Sequence, residues 1–184
     1  MTAHYFIGIQ FPTLIEEIAD TYTIKYNLAD EYKVIPHPQD LHLTLLFMGA
    51  MREQELPLLT GNLQQIATKT PSFSMEMDGL SYFGSPKGPR VVYLSLQESK
   101  VLAVLQKEIY ESVATLLDRL PTERFTPHIT IAKKRKRTEP LFIQKEQWEP
   151  IKLPVTSFSL FTIHPQKSPK YEAVETFQLG GIPI

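Results

Sequence analysis

The chain contains no cysteine, and that absence removes several kinds of chemistry at once. Disulfide bridges, thiolate zinc sites and cysteine nucleophiles are all excluded. No apolar run approaches the roughly 20 residues that a membrane-spanning helix needs. The N-terminus, MTAHYFIGIQFP, also lacks the basic stretch and the small-residue cleavage site of a signal peptide. We therefore expect a cytoplasmic protein with no membrane partner.

The chain also lacks a large excess of charge of one sign, because its formal net charge at pH 7 is only −1. No global electric field then attracts nucleic acid, and any anion site must come from a local patch of cations. The length of 184 residues and the hydrophobic fraction of 42% suffice for one domain with a real core. We expect a single domain over residues 1–184 that acts as a monomer.

Hydrophobic periodicity predicts a chain in which strands outnumber helices. Alternating residues predict strands over 4–11, 41–48, 72–80, 91–97, 128–132, 155–163 and 171–179. Helical spacing predicts helices over 13–26, 53–68 and 100–117. Residues 35–40 read as an extended connector, and FGSPKGP, 83–89, reads as a flexible hairpin loop. Runs of adjacent strands favour the α+β class, with mainly antiparallel sheets and helices on the outside.

Two of the predicted strands carry the same short pattern, 86 residues apart. The first is DLHLTLLFMG, with His42 and Thr44, and the second is TPHITIAKK, with His128 and Thr130. Since side chains alternate faces along a strand, each histidine shares a face with its threonine while apolar residues point the other way. The recurrence predicts an internal duplication: two pseudo-symmetric lobes, interleaved in sequence, with both polar faces lining a central cleft.

Two imidazoles facing one reacting centre can transfer protons on both sides of it. A neutral imidazole takes a proton from water, and a protonated one gives a proton to a leaving oxygen. Threonine hydroxyls can donate hydrogen bonds to anionic oxygens without a metal ion. The reaction that best matches this set is hydrolysis or transfer at a phosphodiester.

Two other roles stay open for the motifs, a structural one and a metal-binding one. A histidine beside a threonine in a strand is most often a half-buried polar pair with no catalytic role. Histidine is also a common zinc ligand. The chain, however, has no HExxH motif and no clustered carboxylates to complete a zinc site. We therefore predict neither a metal nor a cofactor.

At these motifs the chain resembles the 2H phosphoesterase superfamily, and within it the bacterial RNA 2′,3′-cyclic phosphodiesterases, also called 2′-5′ RNA ligases. The matching segments are FIGIQFP, LHLTLLFMG, GPRVVYLSL and FTPHITIAK. The resemblance implies a two-lobed antiparallel fold and a metal-independent opening of a terminal 2′,3′-cyclic phosphate to a 2′-phosphate. It implies that His42 donates the proton to the leaving 3′ oxygen and that His128 activates water, although these two labels can be exchanged. Thr44 and Thr130 would hold the phosphate.

Several further residues are candidates for substrate contact. Lys133 stands where the family often has arginine, so it would neutralise phosphate without the bidentate fork of a guanidinium. Arg90 is a second candidate phosphate ligand, and Tyr171 is a candidate for stacking on a base. The run KKRKR, 133–137, is either a solvated loop or a ramp for the RNA backbone. His4 and His164 are departures from the residues usual in the family at those positions.

The sequence leaves three functions to be weighed. The leading one is an RNA 2′,3′-cyclic phosphodiesterase whose partners are RNA ends. The same site would also suit a 2′-5′ RNA ligase or phosphodiesterase, or an enzyme acting on small cyclic nucleotides. The third is an RNA-binding module without turnover, against which the presence of both histidines and both threonines counts.

Overall fold

A computed structural model describes residues 3–11, 13–122 and 124–180 of the chain. Within these residues the helices are α1 (Leu14–Lys25), α2 (Leu28–Glu31), α3 (Leu56–Lys69) and α4 (Lys100–Ala114). Each of the three long helices buries a stripe at helical spacing, such as Leu102, Leu105, Ile109 and Val113 in α4. The Ser99 hydroxyl accepts a hydrogen bond from the backbone N–H of Leu102 and so caps the start of α4. No helix in the described ranges is long and apolar enough to cross a membrane.

The strands form one antiparallel sheet. They are β1 (His4–Gln10), β2 (Tyr32–Val34), β3 (His42–Ala50), β4 (Phe73–Ser85), β5 (Gly88–Leu96), β6 (His128–Arg135), β7 (Glu146–Val155), β8 (Ser157–Ile163) and β9 (Tyr171–Gln178). Their order in the sheet is β7-β4-β5-β6-β3-β1-β8-β9, and the short β2 pairs with β6. The α+β class with mainly antiparallel pairing is therefore confirmed.

The eight strands of this order form two halves of four that meet at β3 and β6, and β2 adds a ninth strand beside β6. Extensive ladders join the strands within each half, whereas β3 and β6 share a single pair, Leu43 with Ile129. Both of these residues are fully buried, so the junction between the halves belongs to the hydrophobic core. Each half places the strand that carries its His-x-Thr motif at this junction.

The helices cross from one half to the other. Helix α1 follows β1 but contacts β6, and its Tyr22 stacks on Trp148 of β7 with ring centroids 5.6 Å apart. Helix α4 follows β5 but contacts β3, and it packs on α3, which lies against β8 and β9. Each half is thus covered by a helix that follows a strand of the other half.

Four features differ from the sequence predictions. The segment 83–89 is no loop, because β4 and β5 continue to Ser85 and Gly88 and leave only a two-residue turn. The connector 35–40 ends in a 3₁₀ turn over Pro38–Asp40, which the side chain of His37 caps through its Nδ1. Strand β6 runs on into the basic segment as far as Arg135. Strands β2 and β7 were not predicted at all.

Candidate active site

The junction of β3 and β6 brings the two His-x-Thr motifs together. Because Leu43 pairs with Ile129 in an antiparallel register, the adjacent positions place His42 opposite Thr130 and Thr44 opposite His128. Residues that are diagonal neighbours across such a pair lie about 7–8 Å apart. Both histidines and both threonines line one cleft of about 390 Å³. A spacing of this order leaves room for one phosphate group between the two imidazoles.

Both imidazoles are held in the same tautomer by the backbone two residues earlier. Nδ1 of His42 lies 2.6 Å from the carbonyl oxygen of Asp40, and Nδ1 of His128 lies 2.7 Å from that of Thr126. A carbonyl oxygen can only accept, so each Nδ1 carries a proton and donates it. In the neutral ring the lone pair is then on Nε2, on the far side of the ring from this carbonyl.

The two histidines differ in what their Nε2 atoms contact. Nε2 of His42 lies 2.9 Å from the hydroxyl oxygen of Thr44, which donates to it when the ring is neutral. For His128, no Nε2 hydrogen bond is present within residues 3–11, 13–122 and 124–180. The Nε2 lone pair of His128 can therefore accept a hydrogen bond from a water or a substrate. Nε2 of His42 can do so only after its hydrogen bond with the Thr44 hydroxyl breaks.

Aromatic rings surround each imidazole and remove it from water. Phe6 and Tyr171 lie 4.7 and 5.1 Å from the ring of His42, measured between centroids. Phe83 and Tyr93 lie 5.0 and 5.2 Å from the ring of His128. Burial, which is the larger cause, and the positive charge of Lys133 together lower the pKa of His42 to about 4. The pKa of His128 is lowered by the same two causes, in the same order.

A buried carboxylate supports the His42 side of the cleft. Asp40 is only 4% exposed, and its two oxygens accept hydrogen bonds from the backbone N–H groups of Lys170 and Tyr171 at 2.8 and 3.0 Å. The backbone carbonyl of the same residue accepts from His42. Asp40 therefore fixes the start of β9, which carries Tyr171, relative to the imidazole that Tyr171 contacts.

Comparison with known proteins places the chain in a family. A model of the 2′-5′ RNA ligase superfamily matches residues 12–166. The chain is 33% identical to the RNA 2′,3′-cyclic phosphodiesterase of Bacillus subtilis, over 96% of this chain and 97% of that protein. It is 29% identical to the protein of the same name from Aquifex aeolicus, again over 96% of this chain and 97% of the relative. The chain belongs to the 2′-5′ RNA ligase superfamily.

Solved structures agree with this assignment. A protein of Thermus thermophilus superposes with a TM-score of 0.85 and 28% identity, over 97% of this chain and 98% of that one. The structure of E. coli LigT complexed with 3′-AMP superposes with a TM-score of 0.82 over 97% of this chain and 99% of that one. At 21% identity the second likeness shows the fold alone. The chain therefore shares its overall fold with both solved structures.

The remaining predicted site residues of this superfamily member divide between the cleft and the surface. Lys133 and Tyr171 line the cleft with the two motifs. Arg90 does not lie among the described residues that line it, and its exposed side chain packs on Gly84 at the end of the β4–β5 hairpin. Nε2 of His164 donates a hydrogen bond to the carboxylate of Glu172 at 2.9 Å, and His4 is exposed at the start of β1.

The basic run KKRKR is neither a solvated loop nor a continuous ramp. Lys133 and Lys134 line the cleft, but the rest of the run is bound to the segment around α2. Arg135 contacts Glu31 at 3.2 Å, Arg137 contacts the same carboxylate at 3.9 Å, and Lys136 donates to the carbonyl of Ala29 at 2.6 Å. Only the first two cations are placed to meet a substrate.

Several further residues of the cleft carry no strong signal in the sequence. Asp40, His37, Phe47 and Lys170 all line it, and none was predicted to. The spacing of Asp40 two residues before His42 was a usable signal, because it puts a carboxylate beside the motif. Lys170 had no local signal, since its place depends on the contact with Asp40, which is 130 residues away in the chain.

Among the described residues, no group of three or more histidine, aspartate or glutamate side chains could hold a metal ion. The chemistry that the cleft offers is that of its own groups. These are two imidazoles with defined tautomers, two hydroxyls on the same face, and lysines that attract an anion.

Proposed function

We propose that this protein hydrolyses the 2′,3′-cyclic phosphate at the end of an RNA strand and leaves a 2′-phosphate. The observation that carries the proposal is the pair of imidazoles on adjacent strands that line the same cleft, each with Nδ1 bound to a backbone carbonyl and Nε2 left for a substrate or a threonine hydroxyl. The relatives from Bacillus subtilis and Aquifex aeolicus, both named RNA 2′,3′-cyclic phosphodiesterase, support the same reaction.

The proposed step moves one proton on each side of the phosphorus. Nε2 of neutral His128 accepts a proton from water as the water oxygen bonds to phosphorus. The bond from phosphorus to the 3′ oxygen breaks, and this oxygen takes the proton from Nε2 of protonated His42. The product keeps its phosphate on the 2′ oxygen, and solvent then returns the two imidazoles to their starting protonation.

Two observations favour this assignment of donor and acceptor over its exchange. The Nε2 lone pair of His128 is open to a water, as a general base requires. The pKa of His42, which burial lowers to about 4, makes its protonated form a strong acid toward a leaving alkoxide. The negative charge of a bound phosphate raises the pKa of both imidazoles and so supplies the proton that His42 needs.

Thr44, Thr130 and Lys133 hold the phosphate in this proposal. Both hydroxyls share the cleft face with the histidines, where they can donate to the non-bridging oxygens. The Thr44 hydroxyl would turn from Nε2 of His42 to the phosphate when the imidazole becomes protonated. Lys133 adds a positive charge to the same space.

The test is turnover of an oligoribonucleotide that ends in a cyclic phosphate. We expect His42→Ala and His128→Ala each to lower kcat by at least about a hundredfold, because each variant removes one positioned acid or base. His164→Ala, which removes a histidine outside the cleft, is the control and should keep full activity. The product's mass and its sensitivity to phosphatase report that the ring opened and which oxygen kept the phosphorus. Full activity in either cleft variant would end the proposal.

A second substrate for the same variants separates the donor from the acceptor. The leaving group of bis(p-nitrophenyl) phosphate departs without needing a proton. We therefore expect the deficit of His42→Ala to shrink on this substrate while that of His128→Ala persists. The opposite pattern would exchange the two roles and leave the reaction itself unchanged.

Formation of a 2′-5′ linkage is a second candidate, favoured by the match to the 2′-5′ RNA ligase superfamily. The two proton transfers keep their direction when the 5′-hydroxyl of a second RNA replaces water. His128 accepts the hydroxyl proton as the 5′ oxygen bonds to phosphorus, and the departing 3′ oxygen takes the proton of His42, so the site needs no further group. Incubating a cyclic-phosphate RNA with an excess of a 5′-hydroxyl RNA tests it, since only ligation gives a longer strand. The protein is also proposed to act as a monomer, because the residues that line the cleft come from one chain. A cytoplasmic location is proposed with it.

A further inference from the structure

Three lysines meet in the cleft from both halves of the molecule. Lys133 and Lys134 lie on β6, and Lys170 immediately precedes β9. They are near enough to one another for Lys134 and Lys170 to add to the effect of burial in lowering the pKa of Lys133. Placing three ammonium groups together is unfavourable unless an anion joins them.

No carboxylate pairs with these lysines. Within residues 3–11, 13–122 and 124–180, the ion pairs up to 4.0 Å include none of the three ammonium groups. Asp40 is the acidic residue that lines the cleft in this part of the chain, and its oxygens accept from two backbone N–H groups. With both imidazoles neutral, three ammonium groups and one carboxylate leave two positive charges in excess.

The rest of the basic run shows that this excess is specific to the cleft. Arg135 and Arg137 pair with Glu31, and Lys136 donates to a backbone carbonyl. Each cation of the run that lies outside the cleft therefore has an acceptor from the segment around α2. The excess positive charge inside the cleft is balanced only when a substrate supplies anionic groups.

A cyclic phosphate supplies only one negative charge, which leaves one excess cation. The cleft has room for more than that group, because its volume of about 390 Å³ lies within the range of small-ligand pockets. Its walls beyond the motifs include Val34, Ile35 and the half-exposed ring of Phe47, a surface suited to a nucleoside. A second phosphate on the far side of that nucleoside would balance the charge.

We propose that Lys134 and Lys170 form a second phosphate site, which binds the internucleotide phosphate on the 5′ side of the terminal nucleotide. The inference rests on the proposed function, because it assumes that the cyclic phosphate lies between His42 and His128. It assigns an RNA strand, rather than a cyclic mononucleotide, as the preferred substrate.

The test compares three substrates: a cyclic mononucleotide, the same molecule with a 5′-phosphate, and a dinucleotide that ends in a cyclic phosphate. We expect kcat/KM for the dinucleotide to exceed that for the unphosphorylated mononucleotide by at least about tenfold, because a charge-assisted contact is worth that much. The advantage should shrink as salt is added, since the contact is with a phosphate.

Lys134→Gln is the diagnostic variant, and Lys136→Gln is its matched control. Both remove one positive charge from the same run, but only Lys134 lines the cleft. We expect Lys134→Gln to lose most of the dinucleotide's advantage and Lys136→Gln to keep it. Lys170→Gln should repeat the loss from the other half of the molecule. Thermal unfolding of each variant confirms that it is folded.

Two outcomes would overturn the second phosphate site. Equal kcat/KM for the dinucleotide and the unphosphorylated mononucleotide would remove it, and so would equal losses in Lys134→Gln and Lys136→Gln. An advantage for the 5′-phosphate without one for the dinucleotide would also count against the internucleotide phosphate. In each case turnover of the mononucleotide would still support the proposed function, whereas no turnover of any substrate would refute that function itself.

Discussion

The environment of each imidazole in the cleft is set by very few groups. His42 and His128 each donate a hydrogen bond from Nδ1 to a backbone carbonyl. Aromatic rings pack beside each imidazole, and the positive charge of Lys133 lies near both. The carbonyl favours the protonated ring, but burial and Lys133 oppose it more strongly, so the pKa of both rings falls. The free protein therefore carries two neutral imidazoles at neutral pH, and protonation of the donor depends on the substrate.

These pKa shifts predict an acidic optimum for kcat/KM. The proposed reaction needs one protonated and one neutral imidazole, so we expect kcat/KM to rise with pH through the lower pKa of the pair and to fall through the higher. Because both values lie below the ordinary 6.5, the maximum should fall below pH 6.5. The profile of kcat should lie at higher pH, since bound phosphate raises both values.

Lys133→Met isolates the electrostatic part of the shift. Removing this cation takes away a repulsion that disfavours the imidazolium, so the alkaline limb of kcat/KM should move to higher pH. Lys136→Met, with the same change of charge outside the cleft, should leave the limb in place. The measurement is a pH profile at constant ionic strength, and a limb that stays fixed or moves to lower pH in Lys133→Met would contradict the explanation.

The cleft positions that follow from strand alternation alone could be predicted from the sequence. The positions that depend on contacts between distant parts of the chain could not. His42 and Thr44 share a face because of a period of two, which the sequence shows directly. The cleft position of Lys170 depends on a hydrogen bond to Asp40 across 130 positions, and no local pattern contains it. Arg90 was predicted from its place before a strand, but its strand directs it to the surface.

Irregularities in the strands determine which side chains reach the cleft. In β3 the pairing with β1 slips between Thr44 and Leu46, so Leu45 and Leu46 are consecutive and both buried. The bulge returns Phe47 to the face of His42 and Thr44, where strict alternation would have put it on the other side. The four apolar residues after Thr44, LLFM, give no sequence signal for this bulge.

The missed and misjudged elements have physical causes of the same kind. Strand β7 contains Pro150 and Pro154, which demote a strand prediction but are tolerated here because β7 is at the edge of the sheet. The hairpin after β4 was predicted as a loop because of its two glycines and two prolines. Gly84 instead adopts φ +100° inside the ladder and allows the strand to continue to the turn.

Asp40→Asn tests the link between β9 and the 3₁₀ turn that precedes β3. The amide keeps one acceptor oxygen and presents an NH₂ group to a second N–H donor, so one backbone donor at Lys170 or Tyr171 loses its partner. We expect the free energy of unfolding to fall by about 1–3 kcal/mol. We also expect kcat/KM to fall by up to about a hundredfold, because Tyr171 no longer packs firmly on His42.

Urea unfolding and steady-state kinetics measure the two effects of that substitution. Glu172→Gln, an exposed carboxylate of β9 whose partner is His164, provides the control and should change little. A stable and fully active Asp40→Asn protein would show that the carboxylate does not hold this part of the cleft.

The molecule as a whole is held together by the exchange of helices between its halves. The backbone ladder contributes one β3–β6 pair to the junction, yet α1 and α4 each cover the half opposite to the strand they follow. The Tyr22 hydroxyl also donates to Glu146 at 2.8 Å, which fixes α1 to β7. The duplication that the sequence predicts stays a prediction, but this interleaving would explain why neither half needs a separate core.

Interleaving predicts that the two halves unfold together, and the single tryptophan makes this measurable. Trp148 is on β7, at one edge of the sheet, whereas fully buried Leu63 is on α3, which packs against β8 and β9 at the other. Leu63→Ala leaves a cavity and should cost about 2–5 kcal/mol. If the molecule is one cooperative unit, the unfolding transitions measured by Trp148 fluorescence and by far-UV circular dichroism will shift to lower temperature by the same amount.

Exposed Leu58→Ala on the same helix is the control and should shift neither transition appreciably. A Trp148 transition that stays at its wild-type temperature in Leu63→Ala would mean that the halves fold independently, and the cleft between them would then lack a rigid frame.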